Sequence, residues 1–358
     1  MKNFYCYCCN HQVFFLNTQC GNCQALLGYL PDEENMGSFY KTHDPNLWQS
    51  HDPKHQGKLF KPCYNYRIEN VCNWMLAADS QETYCKACQL TVTIPDLSEH
   101  DHKLYWSRIE AAKRRFLYLL YQLKIAPQPK RYPDDHEGLA FEFLAASDDQ
   151  PVLTGHNNGL ITLNISEADP SYREWTRESM QEPYRTLLGH FRHESGHYYF
   201  DRLVEHTKWY QPFKTLFGDD QQSYQDALDR HYQQGAPSDW EQHYVTSYAS
   251  THPWEDFAET WAHYLHMMST LDSAYHLGIN VQPHHSHEPH MVLHKSPIGS
   301  PDFEQTLADW FALSYGLNAL NRSMGLLDAY PFALSQRVLD KLRFVHDIIL
   351  DKMNEIPH

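Results

Sequence analysis

The chain has 358 residues, 42% of them hydrophobic, with 9 Trp, 24 Tyr and 17 Phe, which predicts a packed globular protein and excludes a disordered one. Its 45 acidic residues outnumber its 29 Lys and Arg, for a formal net charge of −16, so nucleic acid is not a favoured partner. The sequence has no apolar run suited to a membrane span, and its N-terminal residues lack the apolar core typical of a signal peptide. We therefore expect a cytoplasmic protein without a membrane partner.

All nine cysteines lie within residues 6–88, and six of them form three Cys-x-x-Cys pairs. Random placement would give roughly 0.2 such pairs. Two such pairs can close the tetrahedral shell of one Zn²⁺ and leave no position open for a substrate. The economical grouping gives two structural zinc sites and leaves Cys8 over: Cys6, Cys9, Cys20 and Cys23 form the first, and Cys63, Cys72, Cys85 and Cys88 the second.

Residues 1–98 are therefore predicted to be a double zinc-ribbon domain, in which the metal supplies folding free energy. Three alternatives stay open: a disulfide framework, iron at one of the four-cysteine sites, and Cys8 as a ligand in place of Cys6 or Cys9. Residues 1–100 have 7 basic and 10 acidic side chains. This balance favours docking of a protein partner over binding of nucleic acid.

Residues 99–358 are predicted to form a second, mainly helical domain, so that the fold class is α+β. Residues 103–124 have the pattern of an amphipathic helix, and the basic run Lys113, Arg114 and Arg115 is expected on its solvated face. Short strands are predicted at 139–146 and 159–166, the second after an Asn-Asn-Gly turn. We expect this second strand at a sheet edge, where it could pair with an extended substrate.

The stretch "HFRHESGHYYF" contains His193-Glu194-x-x-His197. Because the chain has 25 histidines, chance alone gives roughly 0.1 such matches. On a helix beginning near Pro183, the two histidines would lie one turn apart and could hold one Zn²⁺. Glu194 would lie beside them as a general base. The alternative is an ordinary helix with two partly buried histidines.

Gly196 supports the first interpretation, since glycine inside a helix costs about 1 kcal/mol relative to alanine and calls for a reason such as close packing. The motif does not extend in the way that metzincins require, because Phe200 and Leu203 stand where that class has glycine and histidine.

A third ligand is expected from a second helix, predicted to start at His252-Pro253. Its Glu255 and Glu259 are four residues apart and share one face. Solvated acidic side chains are the alternative, which the bulky apolar residues around them disfavour.

The sequence has a His-Glu-x-x-His helix followed by Tyr248, Glu255 and Glu259. This arrangement resembles the active-site layout of gluzincins of the anthrax lethal factor type. That resemblance implies that Glu255 is the third zinc ligand, that Glu259 hydrogen-bonds a zinc histidine, and that Tyr248 stabilises the oxyanion.

Over its whole length the chain resembles a bacterial family of zinc-binding metallopeptidases with an N-terminal zinc ribbon. The similarity rests on the cysteines, on "HESGHYY", on "HPWEDFAETWAHYLHM" and on the tail "LNALNRSMGLLDAYPFALSQRVLDKL". It implies a zincin-like metallopeptidase domain in the second part of the chain.

The sequence thus predicts a zinc metallopeptidase that hydrolyses peptide bonds of a peptide or protein substrate by a zinc-activated water. One catalytic and two structural zinc ions are expected. The alternative is a non-catalytic, zinc-stabilised protein-interaction module with a protease-like fold. A histidine-rich stretch at 283–294 is interpreted as a surface loop.

Overall fold

The computed structural model of the chain describes residues 1–147, 151–180, 182, 184–285 and 287–355. The fold is α+β, as the sequence predicts. It divides into two compact units. The N-terminal unit comprises residues 3–121 and 126–188, and the C-terminal unit comprises residues 1–2, 122–125 and 189–358. The units follow spatial packing, and the division into sequence domains at residues 98 and 99 stays a prediction.

The N-terminal unit contains the strands of the described residues, arranged in three sheets. A small hairpin pairs β1 with β2, an antiparallel meander has the order β3-β4-β5-β6-β7, and a mixed sheet has the order β10-β11-β9-β8. The strands are β1 (Phe4–Tyr5), β2 (Gln12–Val13), β3 (Leu26–Leu30), β4 (Asn35–Lys41), β5 (Trp48–Ser50), β6 (Leu59–Pro62), β7 (Met75–Ala77), β8 (Thr91–Thr93), β9 (Ala140–Leu144), β10 (Gly155–Asn157) and β11 (Leu160–Asn164).

The predicted turn before β11 is present. Asn158 and Gly159 have φ angles of 45° and 73°, the left-handed conformations that a two-residue hairpin turn requires. However, β11 is not an edge strand, because it pairs with β10 on one side and with β9 on the other. The prediction that it offers a free edge to substrate is wrong, since the short strand β10 covers that edge.

The described helices are α1 (Tyr64–Arg67), α2 (His102–Gln122), α3 (Pro170–Met180), α4 (Leu187–Leu203), α5 (Tyr210–Phe217), α6 (Tyr224–Gln234), α7 (Pro253–Leu277), α8 (Phe303–Ser323) and α9 (Gln336–Glu355). None of the helices in the described ranges is long and apolar enough to span a membrane.

Helix α2 lies where the sequence predicts it, but its basic run is not a solvated face. Lys113 and Arg114 are buried, and only Arg115 is exposed. The Lys113 ammonium lies 2.8 Å from a carboxylate oxygen of the buried Glu110, and Arg114 donates a 2.6 Å hydrogen bond to the carbonyl of Val71. These partners offset the cost of removing two cations from water.

Helix α7 is the centre of the C-terminal unit and packs against α5, α8 and α9. Pro253 occupies its first turn and His252 caps it, since the Nδ1 atom of His252 accepts the backbone N–H of Trp254 at 3.1 Å. The predicted start of this helix is thus correct. A buried ion pair of 2.5 Å between Asp256 and Lys341 joins α7 to α9.

Helix α4 crosses α7 in close contact at Gly196. A Cβ atom on Gly196 would lie 2.6 Å from the Cα of Ala258, a distance that no side chain can adopt. The expectation that this glycine permits close packing is confirmed. The helix starts at Leu187, later than expected, and Pro183 lies outside the described residues.

Candidate active site

Helices α4 and α7 bring together the two histidines of the His-Glu-x-x-His motif and one glutamate. His193, His197 and Glu255 each offer one ligand atom, and these atoms lie within 4.8 Å of one another. The Oε2 atom of Glu255 is 3.1 Å from the Nε2 atom of His193 and 3.4 Å from that of His197. Three donors therefore face a common point.

The donor set fits a divalent cation such as Zn²⁺, for which imidazole nitrogen and carboxylate oxygen are ordinary ligands. Glu255 is 1% exposed, and its Oε2 atom has no hydrogen-bond partner within the part of the chain that the structure describes. Burial alone would raise the pKa of Glu255, but the two histidines outweigh it and hold the pKa well below its usual range. A buried, ionised and unsatisfied oxygen between two imidazoles is suited to a metal ion.

Glu259 lies on the other side of the His193 ring. The Nδ1 atom of His193 is 2.6 Å from Glu259 Oε1, and Glu259 Oε2 accepts a 2.7 Å hydrogen bond from the Thr246 hydroxyl. A proton on Nδ1 leaves the Nε2 lone pair of His193 free for a metal. Because Glu259 faces Nδ1 whereas Glu255 faces both Nε2 atoms, the geometry favours Glu255 over Glu259 as the ligand.

The electrostatics of His193 follow from these two carboxylates. Burial by itself lowers the pKa of His193, but the adjacent carboxylates of Glu255 and Glu259 outweigh that effect and raise the pKa well above its ordinary value. Glu194 is buried, and its charge acts on His193 in the same direction. The ligand cluster is thus rich in negative charge, which a cation would balance.

Tyr248 belongs to a short 3-10 turn, Tyr248–Ser250, just before α7. Its ring centre is 6.0 Å from that of His193, so the structure brings the predicted oxyanion donor close to the ligand cluster. Burial is the main cause that raises the pKa of Tyr248, and the Glu255 charge adds to it. The phenol therefore stays protonated and can donate a hydrogen bond.

Sequence reasoning missed two aromatic residues of the site. The Tyr224 hydroxyl donates a 2.7 Å hydrogen bond to Glu255 Oε1, and the Trp254 ring lies against that of His197 with a centroid separation of 3.7 Å. Trp254 directly precedes Glu255, so its place next to the ligand could have drawn attention. Tyr224 opens a different helix, and no spacing in the sequence connects it with the motif.

The N-terminal unit contains two clusters of cysteine sulfurs, grouped as the sequence predicts. In the first, Cys6 and Cys23 have their Sγ atoms 3.6 Å apart, and Cys9 and Cys20 have theirs 3.7 Å apart. Four thiolates at a Zn–S distance of about 2.3 Å in a tetrahedron lie about 3.8 Å from one another. The spacing therefore fits zinc, while Cys8 is exposed and outside both groups.

The second cluster consists of Cys63, Cys72, Cys85 and Cys88, all of them buried. Cys72 Sγ and Cys85 Sγ are 3.7 Å apart. Backbone N–H groups donate to two of the sulfurs: Trp74 to Cys72 at 3.4 Å and Cys85 to Cys63 at 3.3 Å. Such donors stabilise thiolate charge. The role of both clusters as zinc ligands stays a prediction.

The structure brings three groups of metal-ligating side chains together within the described residues, and none of them includes a histidine of 283–294. Ser286 of this loop lies outside the described residues.

The chain combines cysteine clusters on small β-sheets with a histidine–glutamate site between two helices. These two features define a zinc-ribbon protein with a metallopeptidase-like domain. The comparisons with known proteins agree. The profile of a family described as "Putative zinc-binding metallo-peptidase" matches residues 102–348, and that of a zinc-ribbon domain family matches residues 3–99. The chain belongs to this zinc-binding metallopeptidase family.

Three mycobacterial relatives match nearly the whole chain. One is from Mycobacterium bovis and two are from strains of Mycobacterium tuberculosis, and each is called an uncharacterized protein. Each is 39% identical over 351 residues, which cover 98% of this chain and 95% of the relative. No solved structure matches the chain significantly.

Proposed function

We propose that the protein is a zinc-dependent peptidase with a gluzincin-like site similar to that of anthrax lethal factor, acting on a peptide or protein. The observation that carries the proposal is the Oε2 atom of Glu255, buried without a hydrogen bond and 3.1 and 3.4 Å from the Nε2 atoms of His193 and His197. An interaction module that catalyses no reaction would need neither these three candidate ligands nor Glu194 beside them.

His193, His197 and Glu255 would hold the catalytic Zn²⁺. When bound, the ion would act as a Lewis acid, which lowers the pKa of a bound water and polarises the carbonyl oxygen of the substrate. Three protein ligands would leave one position for water or substrate, as in catalytic rather than structural zinc sites.

The residues around the ligands have separate tasks. Glu194 accepts the proton of the attacking water and passes it to the leaving amine as general base and then general acid. The Tyr248 hydroxyl donates a hydrogen bond to the oxyanion that forms when water adds to the peptide carbonyl. Glu259 fixes the orientation of the His193 ring through the 2.6 Å contact with Nδ1.

Each cysteine cluster holds one structural zinc, so that the chain contains one catalytic and two structural ions. Residues 1–98 act as a double zinc ribbon that docks a protein partner, residues 99–358 form the zincin-like peptidase domain, and the protein works in the cytoplasm.

The decisive experiment compares the wild type with Glu194→Gln on a library of peptides and unfolded proteins, together with a zinc count for each. The wild type is expected to hold three zinc ions per chain and to cleave peptide bonds. Glu194→Gln should keep all three ions and lose at least 100-fold in cleavage rate, the scale of a lost general base.

Equal cleavage by both proteins would remove Glu194 from its assigned role. Two tightly held zinc ions and no cleavage by the wild type would instead support the interaction module. Loss of the third zinc in Glu259→Ala but not in Glu255→Ala would exchange the roles of these two residues.

A further inference from the structure

Tyr224 is the first residue of α6, and its hydroxyl reaches one specific ligand atom. It donates a 2.7 Å hydrogen bond to Oε1 of Glu255, whose side chain is 2% exposed. The other oxygen of the same carboxylate, Oε2, faces His193 and His197. The two oxygens of Glu255 therefore have different environments.

The position of Tyr224 is fixed by contacts to the start of α7. The Nε2 atom of His252 donates a 3.2 Å hydrogen bond to the carbonyl of Gln222, two residues before Tyr224, while the same histidine caps α7. The Tyr224 ring also packs edge-on against His252 and Trp254, with centroid separations of 5.5 and 5.7 Å. The hydroxyl is thereby held against the segment that carries Glu255.

We infer that Tyr224 is a positioning residue that occupies one oxygen of Glu255, so that this ligand presents a single oxygen to the metal ion. The inference rests on the proposed function, since it concerns the third ligand of the same site.

The physical reason lies in the symmetry of a carboxylate. Without a donor on Oε1, the two oxygens are equivalent, and the group can turn to offer both of them to a cation. Two oxygens from Glu255 would fill the coordination position that a catalytic zinc keeps open. The hydrogen bond from Tyr224 favours one-oxygen ligation and keeps that position open.

The test uses the full-length chain and the variant Tyr224→Phe, with Tyr105→Phe as a matched control. Tyr105 donates a 2.9 Å hydrogen bond to Asp169 in the N-terminal unit, so the control also removes a tyrosine–carboxylate bond. Both ribbons keep Zn²⁺, and the third site is stripped with a chelator and titrated with Zn²⁺ and with Co²⁺. The absorption spectrum of bound Co²⁺ reports the number of ligands.

Tyr224→Phe is expected to bind Zn²⁺ about 10–100-fold more weakly at the third site, as for the loss of other partners of metal ligands. Its Co²⁺ spectrum should lose intensity, because a five-coordinate ion absorbs more weakly than a four-coordinate one. Tyr105→Phe should match the wild type in both measurements, and circular dichroism should be the same for all three proteins.

An unchanged Zn²⁺ affinity together with an unchanged Co²⁺ spectrum in Tyr224→Phe would overturn the inference and leave the proposed function intact. A wild type that takes up no ion at the third site would instead overturn the proposed function, and the role of Tyr224 with it.

Discussion

Three glutamates lie around His193, and the proposed function gives each of them a different role. Glu255 meets Nε2 at 3.1 Å, and Glu259 meets Nδ1 at 2.6 Å. Glu194 follows His193 in the chain, and its charge raises the pKa of His193. It is not one of the three grouped ligand residues. In the proposed function, one residue type would therefore supply a ligand, an orienting acceptor and a base, because location decides which lone pairs are available.

A histidine distant in sequence from the motif gives a pH test of the C-terminal unit. His346 on α9 is buried, and its Nδ1 atom is 3.1 Å from the Tyr264 hydroxyl. Its Nε2 atom has no hydrogen-bond partner within the described ranges. Burial first, and then the nearby Arg343 charge, lower the pKa of His346 from 6.5 to about 4. Protonation would place an unpaired charged N–H in the core.

The sign of the effect follows from this depressed pKa. In the unfolded chain His346 takes up its proton near pH 6.5, and in the folded chain only near pH 4. The contribution of His346 to the free energy of unfolding is therefore fully present above pH 6.5 and is lost as the pH decreases toward 4. We expect a contribution of about 2–3 kcal/mol to the free energy of unfolding over this range. Denaturant unfolding of wild type and His346→Gln at several pH values measures it, and zinc ligands titrate equally in both proteins. Parallel pH curves would contradict this account.

Much of the arrangement of candidate ligands on α4 and α7 could be predicted from the sequence, because its signals are periodic and local. The four-residue spacings of the histidines and of Glu255 and Glu259 place each pair on one helix face. Gly196 indicates a point on α4 where another segment packs closely. Local pattern does not show what a helix packs against, and so the burial of Lys113 next to Phe141 and Phe143 of β9 could not be foreseen. Tyr224 was missed for the same reason, since its hydrogen bond depends on how α6 lies beside α7.

The contact of these two helices can be tested with Gly196→Ala. Alanine gains about 1 kcal/mol of helix propensity. However, its Cβ would lie 2.6 Å from the Cα of Ala258, and overpacking of this kind costs about 1–3 kcal/mol. We expect a lower melting temperature and weaker Zn²⁺ binding at the third site, because α4 must move away from Glu255.

A second helical glycine serves as the control for this substitution. In Gly316→Ala, on α8, the added Cβ would meet only a methyl group of Val281 at an ordinary 3.7 Å. This variant should be as stable as the wild type or up to about 1 kcal/mol more stable. If Gly196→Ala and Gly316→Ala had the same melting temperature, the close approach of α4 and α7 would not affect the free energy of unfolding.

At the scale of the whole molecule, metal-ligand chemistry is divided between the two units. The cysteine clusters lie in the N-terminal unit and the histidine–glutamate group in the C-terminal unit. The grouping of the cysteines could be predicted because each Cys-x-x-Cys turn is a local feature. Their different degrees of burial could not, because burial depends on the sheets that form around them.

That difference in burial predicts an order of reaction with iodoacetamide in the zinc-loaded protein. Cys8 is exposed and outside both clusters, so its thiol should be modified first, without loss of zinc. On addition of a chelator the first cluster should follow, because Cys9 and Cys23 are partly accessible, whereas all four cysteines of the second are buried. Mass spectrometry of the labelled peptides gives the order, and Cys8→Ser should retain both ribbon ions. Protection of Cys8 until zinc is lost would instead make it a ligand, since only a metal-bound thiolate would resist the reagent at an exposed position.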